Sequence, residues 1–271
     1  MPELPEVETT RRGLEPLVAG RVIERIDVRA PMLRWPVPRE LAGLAGETVS
    51  GLDRRGKWLL WRFGVGTLLW HLGMSGSFRG WQEPPPPGPH DHLDVVVRNG
   101  RVLRYTDPRR FGAVLWHAGE DAERHPRLAG LGPEPLSDVF DGEHLWRLSR
   151  GRRIAVKPFV MDGSVVVGVG NIYATEALFR AGVHPKRAAG RIARDRYDRL
   201  AEAIRDVLAR AIEVGGTSLR DFTVGDGTPG YFGQELAVYG KAGQPCPACG
   251  AALKGEVIAQ RATTWCPACQ T

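Results

Sequence analysis

The chain has 271 residues, 42% hydrophobic and 25% charged, which is enough to bury one large core or two ordinary ones and is not the composition of a disordered or fibrous protein. Lysine and arginine outnumber aspartate and glutamate by 37 to 31, and the isoelectric point near 9.4 favours a polyanionic partner over a cationic one. No stretch approaches the roughly 18–20 apolar residues of a membrane span, and no apolar run follows a basic leader, so a cytoplasmic chain with no membrane partner is expected.

The chain opens Met1-Pro2-Glu3-Leu4-Pro5-Glu6, and Leu4, Val7, Leu14 and Val18 recur at helical spacing. Two readings are open. Pro2 and Pro5 suit the start of a helix, with Glu3, Glu6 and Glu8 complementing the positive end of its dipole. Alternatively, removal of Met1 exposes the secondary amine of Pro2, a ring-held nucleophile whose adduct with a carbonyl-like carbon is an iminium cation. An α-amino group with a pKa of ~7.7–8.0 keeps a neutral fraction that a lysine near ~10.4 lacks. Glu3 and Glu6, three apart, share the helical face beside that amine, one to protonate a leaving oxygen and the other to orient or hold charge.

Strand patterns follow over Arg21–Ala30, Thr48–Asp53, Lys57–Phe63 and Thr67–Leu72, the last three as an antiparallel meander. Leu93–Arg98 and Arg101–Tyr105 form a hairpin whose Asn99-Gly100 pair suits a type I′ turn, and Gly112–Trp116 adds another strand. The proline-rich Glu83–Pro89 reads as a surface loop. Residues 1–133 are therefore expected to be a β-sandwich carrying the N-terminal helix. Gly132-Pro133-Glu134-Pro135 marks a change to helical patterns, and a helical domain is expected over 134–240, with helices at Asn171–Ala181 and Asp195–Val214. Asp221–Phe232, with three glycines, reads as a long mobile loop of the kind that closes over a ligand.

All four cysteines fall at the end, as Cys246-Pro-Ala-Cys249 and, sixteen residues on, Cys266-Pro-Ala-Cys269. That spacing predicts a four-thiolate zinc finger over 241–271 holding one structural Zn²⁺, the alternative being two redox dithiols. The same hairpin carries Lys254, Gln260 and Arg261. Basic residues also interleave with aromatic ones in Arg54-Arg55-Gly56-Lys57-Trp58 and in Arg104 to Gly112. There, cations can hold phosphates and Phe111 can wedge into a base stack; the alternative is a core phenylalanine among solvated arginines. His71-Leu72-Gly73-Met74-Ser75-Gly76 ends a strand, with Met74 oddly placed for a core residue. Gly168-Val169-Gly170-Asn171 precedes a helix and suits one DNA phosphate but lacks a dinucleotide fingerprint. In His90-Asp91-His92 there is no third metal ligand, and a loop histidine touching phosphate or solvent is the expectation.

Together these segments resemble the formamidopyrimidine-DNA glycosylase family: MPELPEVETTRRG at 1–13, LDRRGKWLL at 52–60, HLGMSGS at 71–77, YTDPRRFG at 105–112, GVGNIYA at 168–174, PGYF at 229–232 and QRAT at 260–263. The resemblance implies an α+β fold, a β-sandwich followed by a helix-two-turns-helix domain and a zinc-finger hairpin. It implies a monomeric repair enzyme, nucleoid-associated in a prokaryote, that excises oxidised purines such as 8-oxoguanine from damaged double-stranded DNA and nicks the abasic site. Pro2 would be the nucleophile, Glu3 the proton donor that opens the deoxyribose, Lys57 and Arg261 the groups serving β and δ elimination. Met74, Arg109 and Phe111 would fill the gap left by the flipped base. His90, Arg109, Arg152 and Asn171 would hold the DNA backbone, with His71 at the same interface. The neighbouring possibilities are an endonuclease VIII-like enzyme for oxidised pyrimidines, against which Leu4 speaks, and a zinc-ribbon DNA binder without catalysis.

Overall fold

The computed structural model describes residues 2–216 and 235–271; Met1 and the expected Asp221–Phe232 loop lie outside them. The described residues divide into two units. The first runs to Ala129 and takes in the segment that begins at Val214; the second is Gly130–Glu213 with the stretch that ends at Thr271.

In the first unit, helix α1 (Leu4–Val18) buries Leu4, Val7, Leu14 and Val18, the stripe its spacing predicts. Eight strands follow: β1 (Ile23–Val28), β2 (Gly51–Arg55), β3 (Trp58–Phe63), β4 (Gly66–His71), β5 (Ser77–Trp81), β6 (Asp91–Val97), β7 (Val102–Thr106) and β8 (Ala113–Ala118). They pair antiparallel into two four-stranded sheets, β1-β6-β7-β5 and β2-β3-β4-β8. Trp61 and Trp70 from one sheet meet Phe78 and Tyr105 from the other, with ring centroids 5.0–5.9 Å apart, in a core that Val7, Leu14 and Val18 of α1 complete. This is the expected sandwich. The proline-rich loop is exposed, as expected, yet tethered: Arg104 donates to the Pro85 carbonyl at 2.7 Å while its other nitrogens grip buried Asp94.

One local reading is corrected. The β6–β7 hairpin does not use a type I′ turn: only Gly100 has positive φ, and Gly100 N–H donates to Val97 O across a three-residue loop with the glycine left-handed. A two-residue loop with both φ positive is found instead at Ala259-Gln260, which lacks any glycine to announce it. Strand β5 carries no clear sequence signal, because Ser77-Phe78-Arg79-Gly80-Trp81 is short and interrupted by a glycine.

The second unit holds α2 (Gly142–Ser149), α3 (Val156–Val160), α4 (Asn171–Arg180) and α5 (Arg194–Glu213), then the hairpin β9 (Lys254–Ile258) and β10 (Arg261–Trp265). Helix α5 turns Leu200, Ile204, Val207, Leu208 and Ala211 inward, packing on α2 and α4. Asp141 caps α2 by accepting His144 N–H at 2.7 Å. Helices α2 and α3, of eight and five residues, are too short for periodicity to reveal. Among the described residues no helix is long and apolar enough to cross a membrane.

Candidate active site and nucleic-acid interface

In the first unit Pro2 is buried, and Glu3 and Glu6 are each 1% exposed. Glu3 is the N-cap of α1, and its N–H donates to Glu6 Oε2 at 2.8 Å, as in one half of a capping box. The helix-start reading is thus correct for Pro5 and Glu6. It leaves Pro2 outside the helix, immediately before a buried carboxylic acid. Gly216 stands against Glu6, where a Cβ would come 3.1 Å from Oε1.

One turn further along α1, Glu8 gathers Arg11, Arg12 and Arg54 at 2.9–3.2 Å. Burial raises the Glu8 carboxyl, but hydrogen bonds from Arg11 and Arg12 and the charges of Arg11 and Arg54 outweigh it and hold it below the usual carboxylate range. Arg54 also donates to Gly56 O at 3.0 Å, and Gly56 takes φ +57°. The turn that presents half-buried Lys57 is therefore tied to the helix that begins beside Pro2.

His71, at the end of β4, is pushed down to about 4 by burial first and by the charges of Lys57 and Arg34 second. The neutral ring accepts Gly73 N–H at Nδ1, 3.0 Å away, and sets its edge against Trp58, with centroids 4.9 Å apart. It anchors the turn that carries Met74. Because the folded pKa lies below the usual 6.5, the unfolded chain takes up the proton first, and acidification from 6.5 towards 4 destabilises the fold by up to about 3 kcal/mol. His71→Gln keeps an acceptor without this titration. Its denaturation midpoint should fall less over that range than the wild type's, and parallel falls would remove the assignment.

The segment 107–112 lies against the Met74 turn. Phe111 is 45% exposed and so is not a core residue; the Arg109 guanidinium sits 5.0 Å from its ring centroid, and Arg110 between them takes φ +52°. Met74 is half-buried. His90 is exposed at the rim, its carbonyl accepting Asp107 N–H. His92 departs from the expectation of a solvated or phosphate-touching histidine: it is buried, with Nε2 2.8 Å from Asp107 O.

In the second unit the four cysteine Sγ atoms lie within 4.8 Å of one another, with Cys246–Cys269 at 3.9 Å and Cys249–Cys266 at 3.5 Å. A tetrahedron of Zn–S bonds of ~2.3 Å has edges of about 3.8 Å, so the residues fit the ion. Without a cation, hydrogen bonding to Cys249 and then Cys266 leaves the Cys269 thiol pushed up to about 12, whereas at Cys266 burial is outweighed by hydrogen bonds from the Cys269 and Ala268 backbone and from Cys249 and Cys246, which bring it down to about 7. Beyond the cysteines, Arg261 opens β10 and is exposed. The next carbonyl, Ala262 O, accepts from both Asn171 Nδ2 at 3.1 Å and Lys157 Nζ at 3.2 Å, and Lys157 also donates to Thr263 Oγ1 at 2.7 Å. Asn171 and Arg261 are thus brought together. Arg152 is exposed on the turn after α2, donating to Leu148 O.

Sequence reasoning passes over Lys157, Glu176, Ser75 and Asp107. Lys157 is 1% exposed, and its one signal is a lone lysine in the apolar run Ile154 to Val160. Glu176, buried in α4, accepts the N–H groups of Ala237, Val238 and Tyr239 at 2.7–3.0 Å, a nest that no spacing announces.

Three family descriptions match the chain in succession: Formamidopyrimidine-DNA glycosylase N-terminal domain over residues 1–114, Formamidopyrimidine-DNA glycosylase H2TH domain over 131–223, and Zinc finger found in FPG and IleRS over 243–271. A formamidopyrimidine-DNA glycosylase of Alkalilimnicola ehrlichii is 58% identical over 277 residues and one of Pseudomonas putida 58% over 271, each covering all of both chains. Among solved structures, the MutM (Fpg) protein of Thermus thermophilus is 43% identical with a TM-score of 0.89, covering 99% of this chain and 98% of that one. The wild-type Lactococcus lactis Fpg in complex with N7-benzyl-Fapy-dG-containing DNA is 34% identical, with a TM-score of 0.92 over the whole of both chains. A sandwich led by a buried proline–glutamate pair, joined to helices and a four-cysteine zinc hairpin, defines a DNA glycosylase. The chain belongs to the formamidopyrimidine-DNA glycosylase family, and its four cysteines are the ligands of one structural zinc ion.

Proposed function

We propose that this glycosylase acts as a monomer in the cytoplasm, at the nucleoid, removing oxidised purines from double-stranded DNA and cleaving the resulting abasic site by β,δ elimination. The observation that carries the reading is the buried Pro2–Glu3 pair at the start of α1, with Glu6 bonded to the Glu3 backbone. A base inside a duplex is out of reach, so it is flipped out at a cost of a few kcal/mol, which side chains entering the void offset. Met74, Arg109 and Phe111 supply those side chains. His90, Arg109, Arg152 and Asn171 hold backbone phosphates, and His71 serves the interface by holding the Met74 turn.

With the sugar exposed, the neutral Pro2 nitrogen bonds to C1′ as the glycosidic bond breaks, and the proton it sheds neutralises the departing base. Glu3 delivers its proton to the ring oxygen, opening the deoxyribose and leaving an iminium. That cation acidifies the 2′ hydrogens; loss of one expels the 3′ phosphate with Lys57 as proton donor, and a second elimination, served by Arg261, expels the 5′ phosphate. Water then hydrolyses the iminium, so the products are a one-nucleoside gap with phosphates at both ends, an unsaturated aldehyde and the free Pro2 amine.

Glu3→Gln tests the assignment. It keeps the shape and the backbone bond but lacks the proton, so lesion-duplex affinity should stay within about threefold while base release falls by about 10²–10⁴-fold. Unchanged excision would take Glu3 out of the mechanism. A Lactococcus lactis relative has been solved with oxidised-pyrimidine DNA, so the lesion class is read by single-turnover rates on duplexes carrying 8-oxoguanine and thymine glycol. Faster thymine glycol release would overturn the purine assignment.

A further inference from the structure

We propose that Asp107 is a positioning residue that, through Ser75, locks the Met74 turn and the Arg109–Phe111 loop into one rigid wedge. The inference rests on the reading that these side chains fill the void of the flipped base, and extends it to what holds them in place. The Asp107 side chain is wholly buried at the foot of both segments. Oδ1 accepts the Ser75 hydroxyl at 2.6 Å; Oδ2 accepts Gly112 N–H at 2.7 Å, with Tyr105 Oη at 3.4 Å. Ser75 Oγ in turn accepts Arg109 N–H at 3.2 Å. One carboxyl group therefore grips Ser75, one residue past Met74, and Gly112, one residue past Phe111, while its relay reaches Arg109 itself.

The backbone of Asp107 completes the foot: its carbonyl accepts Arg110 N–H at 3.2 Å and meets His92 Nε2, and its N–H donates to His90 O. The two segments touch so closely that a Cβ on Gly73 would fall 2.3 Å from the Phe111 carbonyl carbon, and one on Gly112 1.8 Å from Tyr105 Oη. An exposed phenylalanine on a free loop would lose side-chain and backbone entropy on entering DNA. Mounted on a buried carboxyl group, it is organised before the duplex arrives.

The test compares Ser75→Ala, Asp107→Asn and Phe111→Ala on two duplexes, one with 8-oxoguanine and one with a preformed abasic site, where no stacked base has to be extracted. Ser75→Ala removes one buried hydroxyl and remains informative should Asp107→Asn fail to fold. We expect Ser75→Ala to lower single-turnover excision of 8-oxoguanine about tenfold, the worth of roughly one hydrogen bond, and strand cleavage at the abasic site less than about twofold. Asp107→Asn should show the same bias more strongly. In the Phe111→Ala background Ser75→Ala should cost less than its tenfold in the wild type, because one of the three side chains it positions is already gone. Equal losses on both substrates, no loss, or full additivity with Phe111→Ala would overturn the role of Asp107 and Ser75. Should Phe111→Ala itself fail to separate the two substrates, the wedge reading falls, and the positioning role with it.

Discussion

Protein that keeps a residue ahead of Pro2 should release no base and form no adduct with lesion DNA that borohydride can trap. With a preceding residue the Pro2 nitrogen is an amide whose lone pair is delocalised into the carbonyl, so neither nucleophilicity nor an iminium is available. The expected loss is about a thousandfold or more, the scale of deleting a catalytic nucleophile. A variant with one non-removable residue inserted between Met1 and Pro2, its N-terminus checked by intact mass, should still bind an abasic-analogue duplex while losing adduct and excision together. Wild-type protein that traps no adduct, or a capped variant with full activity, would end the proline mechanism.

Removing the zinc should unmake the hairpin and leave the sandwich standing. The hairpin's own apolar cluster is small, Val238, Leu253, Cys246 and Cys266 with a few partly buried neighbours, so the ordering of β9 and β10 depends on the metal. In isolated zinc fingers metal binding is worth about 10–16 kcal/mol at neutral pH, and that energy is folding energy. Cys266→Ser, at a buried ligand, should lower bound zinc below one equivalent and release Arg261 and its neighbours from their register. Lesion-duplex affinity and δ elimination should collapse, while the tryptophan-rich core of the first unit keeps its melting transition. Full DNA affinity in zinc-free protein would show that the hairpin is not part of the binding surface.

The parts of the molecule legible in its sequence are those whose partners lie close along the chain. The α1 stripe, the meander β2–β4, α5 and the paired cysteine knuckles each declare themselves within a few residues. Pro2 and Glu3 are legible for the same reason, being adjacent. Asp107 is different: its partner Ser75 is 32 residues away, and its role exists only once two turns have met. In the sequence His71 marks only a strand end and a place at the interface; its neutral, buried state appears once the fold sets Lys57 and Trp58 beside it. The two hairpins show how turn signals mislead, since Asn99-Gly100 formed the longer loop and Ala259-Gln260 the tight one. Strand register and tertiary packing decided both against local preference.

That tight corner at Ala259-Gln260 bears on how Arg261 could drift over generations. Two consecutive side-chain-bearing residues with φ of +46° and +62° occupy a conformation costing roughly 1–2 kcal/mol each, held by the pairing of β9 with β10 and by the Lys157–Asn171 clamp on Ala262 O. Glycine or asparagine could enter either position and ease the backbone without moving the arginine, whereas valine or isoleucine would have to unfasten one of the two supports. The fingertip's composition is thus freer than its curvature.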